Sequence, residues 1–171
     1  LYSLSGTQTS LVNWNAGGRN NISVIGSANA SAYYTRESIK WTNDANIALG
    51  GIKYFDNKGI GAQKTDDRLE LSSTFGMQLS KGFFLTFAST FRTQSINGFA
   101  YPNDSVPVSS FMAPGYLNLA LGADFRKSDN FNVFFSSIAI KSTFVLDDSL
   151  SAKGSFGVLP GTRYRQEYGA Y

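Results

Sequence analysis

A chain of 171 residues suffices for one domain, but 16% charged residues against the usual ~25%, 15% aromatics and 17 glycines are an unusual mixture for a cytosolic globule. With no His and no Cys, imidazole-dependent catalysis is excluded and only oxygen ligands remain for a metal, so no enzyme activity, catalytic residue, metal site or cofactor is expected. A net charge of +3 without a basic stripe argues against nucleic acid as a partner.

No stretch approaches the ~18 to 20 consecutive apolar residues of a spanning helix. Apolar residues instead alternate with polar ones, the period of strands with one greasy face. A mean hydropathy of −0.16 fits a soluble protein and equally a membrane barrel, in which only every second strand residue meets lipid. Leu1 has no basic and apolar leader ahead of it, so an export signal is either absent or already removed.

In chain order, Tyr2 to Thr9 is a first, weaker strand, and Ser10 to Asn20 a loop containing Trp14. Asn21 to Phe55 reads as a hairpin. Ile22, Val24, Ala28, Ala30, Ala32 and Tyr34 alternate with serines and Asn29, the turn is Thr35-Arg36-Glu37, and Ile39, Trp41, Ala45, Ile47 and Leu49 alternate with Lys40, Thr42, Asp44 and Asn46. Asp66 to Ile96 is the clearest hairpin, with Leu69, Leu71, Phe75, Met77 and Leu79 on one arm, the turn Ser80-Lys81-Gly82, and Phe83, Leu85, Phe87 and Phe91 on the other. A third hairpin pairs Leu117 to Arg126 with Phe131 to Val145, whose phase slips near Ser136-Ser137 as a β-bulge would make it. Arg163 to Tyr171 closes the set.

Connections alternate in length. Those near 35–37, 80–82 and 127–130 are tight, whereas 56–65, 97–115 and 146–162 are long and rich in Gly, Pro, Asn, Asp and Ser. This is the asymmetry of an outer-membrane barrel, with short turns on one side and long loops on the other. Several strands also exceed the ~9 to 11 residues that cross a bilayer at a tilt and the ~5 to 6 of a soluble sandwich. The expected fold is therefore all-β: one domain over 1–171, a transmembrane antiparallel up-and-down β-barrel with at least eight strands. A soluble β-sandwich is the alternative fold.

Lys40, Asp44, Arg68, Glu70, Arg92, Asp124, Arg126, Arg165 and Glu167 are expected inside such a barrel, where isolated charges are costly. They read either as a salt-bridged plug or as an ion or solute path. Asp66-Asp67 and Asp147-Asp148 sit at loop edges with side chains diverging, so they suit loop capping or adventitious cation binding better than general acid-base work. The glycine pairs Gly17-Gly18 and Gly50-Gly51, and Gly59 with Gly61, lack the lysine of a phosphate loop and read as turns and kinks. Tyr33, Tyr34, Trp41, Phe55, Tyr116, Phe125 and Phe131, near strand ends, suggest an interfacial aromatic girdle, with a sugar-stacking platform as the alternative. In the longest loop, Phe111, Met112, Ala113 and Pro114 form an apolar patch that would either dock a partner or fold over the mouth; Trp14, Phe111, Met112 and Pro114 are the candidate partner contacts.

Several ordered elements together resemble a domain family of unknown function from Bacteroidota, assigned as an outer-membrane barrel. They are Asn13-Trp14-Asn15-Ala16-Gly17-Gly18, Lys64-Thr65-Asp66-Asp67, Phe91-Arg92-Thr93-Gln94, Phe111 to Leu117 and Glu167 to Tyr171. The family's Ser-Pro pair is absent at Ser136-Ser137. The resemblance implies an envelope location and further strands beyond Tyr171, so that eight is a lower bound, but it implies no activity. The expectation is a non-catalytic barrel of the outer membrane, contacting its lipids, lipopolysaccharide and other outer-membrane proteins as a structural or accessory subunit. A small-solute or lipid transport channel is the alternative.

Overall fold

The computed structural model describes residues 1–13, 17–56, 59, 61–128 and 131–170. The Trp14 segment, residues 57, 58 and 60, residues 129–130 of the 127–130 link and Tyr171 lie outside the described residues. The strands are β1 (Tyr2–Thr9), β2 (Asn21–Arg36), β3 (Ile39–Tyr54), β4 (Gln63–Ser80), β5 (Phe83–Thr93), a short ribbon of β6 (Gly98–Phe99) and β7 (Pro107–Ser109), then β8 (Gly115–Ser128), β9 (Phe131–Phe144) and β10 (Tyr164–Gly169). Eight of them form one antiparallel sheet in the order β1-β2-β3-β4-β5-β8-β9-β10, with β1 and β10 at its two edges among the described residues. The protein is all-β apart from a helix α1 (Asp148–Ala152) and a 3-10 turn at Ser155–Gly157.

Cross-strand register turns the sequence alternation into two faces, because directly opposed residues point the same way. Trp41 opposes Phe75, which opposes Phe87, which opposes Leu121. One residue along, Lys40 opposes Gly76 and Gly76 opposes Thr86. The apolar rows are left open: Ile47, Leu71, Phe87, Val133 and Ile138 are all more than 40% exposed. Burial falls on the polar face instead, at Ala48, Phe84, Thr86, Asp124 and Ser136.

The first tight turn, Glu37-Ser38, comes one or two residues later than the sequence suggests, whereas the second, Lys81-Gly82, falls within the expected Ser80-Lys81-Gly82. Glu37 takes a left-handed φ of 45°, and Gly82, at φ 80°, lets the Arg126 carbonyl within 2.9 Å of where a Cβ would stand. The phase slip in β9 is a bulge: Gly122 opposes Ser136 while Leu121 opposes Ile138, leaving Ser137 extra. Ser136 Oγ lies 2.8 Å from both the Leu121 and Ile138 carbonyls and ties the bulge together.

A cluster of buried apolar residues sits among the long connections. Ala113, Val145, Leu150 and Val158 are buried together with Phe156 packed on them. Asp147 caps α1 by accepting from the Ser149 and Leu150 N–H groups, each at 3.0 Å, which fulfils the capping role expected of the acidic pair. Its neighbour Asp148 is paired with Arg163.

Candidate functional site

All nine charged residues expected inside fall on the polar face by register, yet they do not join into one network. At the tight-turn end, Arg126 donates to Asp124 Oδ2 from Nε at 2.8 Å and Nη2 at 2.5 Å, and the Asp124 side chain is only 3% exposed. The Arg126 guanidinium and the Lys40 ammonium lie 4.9 and 5.2 Å from the Phe84 ring centre, so one phenyl on the polar face is held by two cations. Toward the loop end, Glu167 pairs with Arg165 at 2.8 Å and Lys141 at 3.7 Å. Asp44 accepts from Ser31 Oγ at 2.6 Å. Arg68, Glu70 and Arg92 have no ion pair among the described residues, although Glu70 opposes Arg92 in register.

The seven girdle candidates divide. Tyr34, Trp41, Phe125 and Phe131 lie on the apolar face toward the tight turns, where Phe83 stacks on Phe125 at 4.6 Å. Phe55, just past β3, is exposed at the loop end. Tyr33 and Tyr116 stand on the polar face instead. Tyr33 opposes Thr42, because neighbours along a strand cannot share a face, and Tyr116 opposes Arg92 with the Lys141 ammonium 5.9 Å from its ring. Phe144 and Tyr164, 5.2 Å apart, supply aromatics on the apolar face at the loop end that the sequence does not single out.

Sequence elements separated by tens of residues meet at the loop end of β4, above the apolar stretch Leu69 to Leu79. Asp67, with a side chain 1% exposed, accepts the Ser95 N–H at 2.8 Å and the Ile96 N–H at 2.9 Å. The Lys64 ammonium donates to Asp67 at 2.9 Å, to Gln94 Oε1 at 2.8 Å and to the Ile96 carbonyl at 3.0 Å. Gln94 Nε2 in turn donates to the Ser110 carbonyl at 3.0 Å, and Thr93 Oγ1 to that of Pro114 at 3.1 Å, while the Met112 N–H donates to Thr93 Oγ1 at 3.0 Å. The Lys-Thr-Asp-Asp and Phe-Arg-Thr-Gln elements are thus one latch that clamps the loop 97–114 onto the sheet. Ala113 is fully buried, Met112 and Pro114 are half-buried, and Phe111 remains 57% exposed.

Burial acts to raise the Asp67 carboxyl, but the Ile96 and Ser95 N–H groups and the Lys64 ammonium outweigh it and hold the carboxyl below its ordinary range. Asp67→Ala leaves those donors unmatched; amide exchange at Ser95 and Ile96 should quicken roughly a hundredfold, the equivalent of about 3 kcal/mol. Unchanged exchange would show that the latch holds without the carboxylate. A carboxyl held low when folded contributes stability that is present in full above its unfolded value and lost as pH falls through the folded one. Wild-type protection at these amides should therefore persist at pH 5 to 7 and fade below about pH 4, and the Asp67→Ala variant should lack that step.

The described residues hold no group of three or more acidic side chains placed to bind a metal ion. The arrangement is a two-faced sheet with a loop latched onto it at one end. A family described as "Protein of unknown function (DUF3078)" matches residues 7–99, a little over half of the sequence. The chain belongs to the DUF3078 family. Neither a curated protein nor a solved structure is significantly similar to it. The DUF3078 match includes the Lys64 and Gln94 halves of the latch, whereas the clamped Ser110 to Pro114 lie beyond it.

Proposed function

We propose that this DUF3078 chain is a non-catalytic barrel of a Bacteroidota outer membrane, serving as a structural or accessory subunit of a larger envelope assembly. Its partners would be outer-membrane lipids, lipopolysaccharide and other outer-membrane proteins. One observation carries the reading. The rows of Leu, Ile and Phe along β3 to β9 line one face of the sheet and lie open, while the buried apolar side chains stand on the other face, at Ala48 and Phe84, or in the cluster of Ala113, Val145, Leu150 and Val158 among the loops. A water-exposed face of that kind would be an aggregation surface, and hydrocarbon is the solvent that suits it. The edges support it too, since β1 and β10 would run antiparallel in an eight-stranded ring and closure would satisfy their free backbone groups. The long loops, latched and packed, are the working surface, with Phe111 the exposed apolar contact.

Extraction of the full-length protein from envelopes in mild detergent, with copurifying proteins identified by mass spectrometry, tests this reading. A reproducible partner that is lost on Phe111→Ser supports it, and recovery in the aqueous fraction contradicts it. A small-solute or lipid channel is the second reading. It is favoured by a cleft of about 480 Å³ whose lining includes the small polar-face residues Ala88, Ala120 and Ala139, and by Arg68 and Arg92, which have no ion pair among the described residues. Steady conductance in planar bilayers, reduced by Ala120→Trp, would support transport.

A further inference from the structure

The apolar face is interrupted at mid-height on β2 to β5. Ala32, Asn43, Ser73 and Ser89 oppose one another in a row between larger residues such as Phe75 and Phe87 on one side and Leu71 and Phe91 on the other. A groove of about 410 Å³ lies here. Within it Trp41 Nε1 donates to Ser73 Oγ at 2.8 Å and Ser73 Oγ donates to Asn43 Oδ1 at 2.7 Å. Among the described residues Ser89 Oγ reaches only the carbonyl of Ser73 on the next strand, at 3.4 Å. The Asn43 amide therefore keeps its N–H donors and Ser89 Oγ keeps acceptor lone pairs, both on the outward face. On the barrel reading, on which this inference rests, such groups would meet hydrocarbon, which offers them nothing.

We propose that this groove is the contact surface for a second copy of the chain. The free donor and the free acceptor stand on either side of Ser73, each one strand away, about 4.8 Å. A twofold axis passing by Ser73 sets Asn43 of one copy against Ser89 of the other, and the same pair again by symmetry, so one patch supplies both halves of the bond. A lipid tail carries no partner for either group. An unrelated protein would need a separately built complement, whereas a second copy brings one with it.

The chain has no cysteine, so single substitutions read the axis without background. In full-length protein reconstituted in phosphatidylcholine vesicles, Ser73→Cys should give a disulfide-linked dimer on mild oxidation, while Leu121→Cys, also outward but two strands away, stays monomeric. Asn43→Leu should insert normally yet self-associate about tenfold more weakly by subunit counting. Vesicle-inserted protein that counts as single copies, or equal crosslinking at positions 73 and 121, overturns the dimer and leaves the barrel standing. Protein that never enters the vesicles overturns the barrel reading and this inference with it.

Discussion

Gly122→Ala is expected to destabilise the fold by about 3 kcal/mol, the upper range for a methyl group forced into packed structure. The added Cβ would lie 2.1 Å from the Phe135 carbonyl oxygen and 2.6 Å from Ser136 Cα. These are backbone atoms of the bulge in β9, so no side chain can swing aside. Moving them would also pull Ser136 Oγ from the two carbonyls that it bridges. Gly169→Ala, where nothing stands within 4 Å of the new Cβ, should cost little and serves as the control. Urea unfolding of both variants in detergent reads the difference, and equal midpoints would mean that the bulge yields without cost.

Phe87→Arg should cost about 2 to 4 kcal/mol in refolding equilibria with phospholipid vesicles, the range for a cation carried to the middle of a bilayer on a barrel's outer face. Phe87 stands between Phe75 and Leu121 in the outward row and is 42% exposed. Asn118→Arg, on the polar face opposite Thr90 and Lys141, should be near neutral. If this face meets water instead, the Phe87 substitution should cost no more than the Asn118 one, because an exposed phenyl gives up little on becoming a cation.

The strands were legible because their period of two is written residue by residue. Leu69, Leu71, Phe75 and Met77 mark one face of β4 unaided, and the slip at Ser136-Ser137 marks a bulge wherever its partner lies. Turn positions were less legible, since Arg36 still pairs with Ile39 although it reads as part of the turn. Phe84 escaped the pattern altogether. It stands in phase with polar residues, and only the approach of Lys40 and Arg126, 44 and 42 positions away, gives a phenyl ring on the polar face its place. Tyr33 and Tyr116 share with the girdle residues only their nearness to strand ends, which says nothing of the face. The latch was visible only as separate motifs, because Lys64 and Gln94 are 30 residues apart and the chemistry between them is set by register. The same holds for the core of Ala113, Val145, Leu150 and Val158, gathered from two loops with no shared periodicity.

The most direct test of the account is a spin-label scan of β4 from Leu69 to Leu79 in full-length protein in vesicles, using single cysteines in the otherwise cysteine-free chain. Labels at 69, 71, 75, 77 and 79 should be relaxed by oxygen, which concentrates in lipid, and shielded from an aqueous nickel chelate, with the even positions shielded from oxygen. Position 73 should lose its oxygen contact if two copies meet there. Uniform access to the aqueous chelate along β4, with no alternation, would contradict a lipid-facing sheet and with it the envelope role.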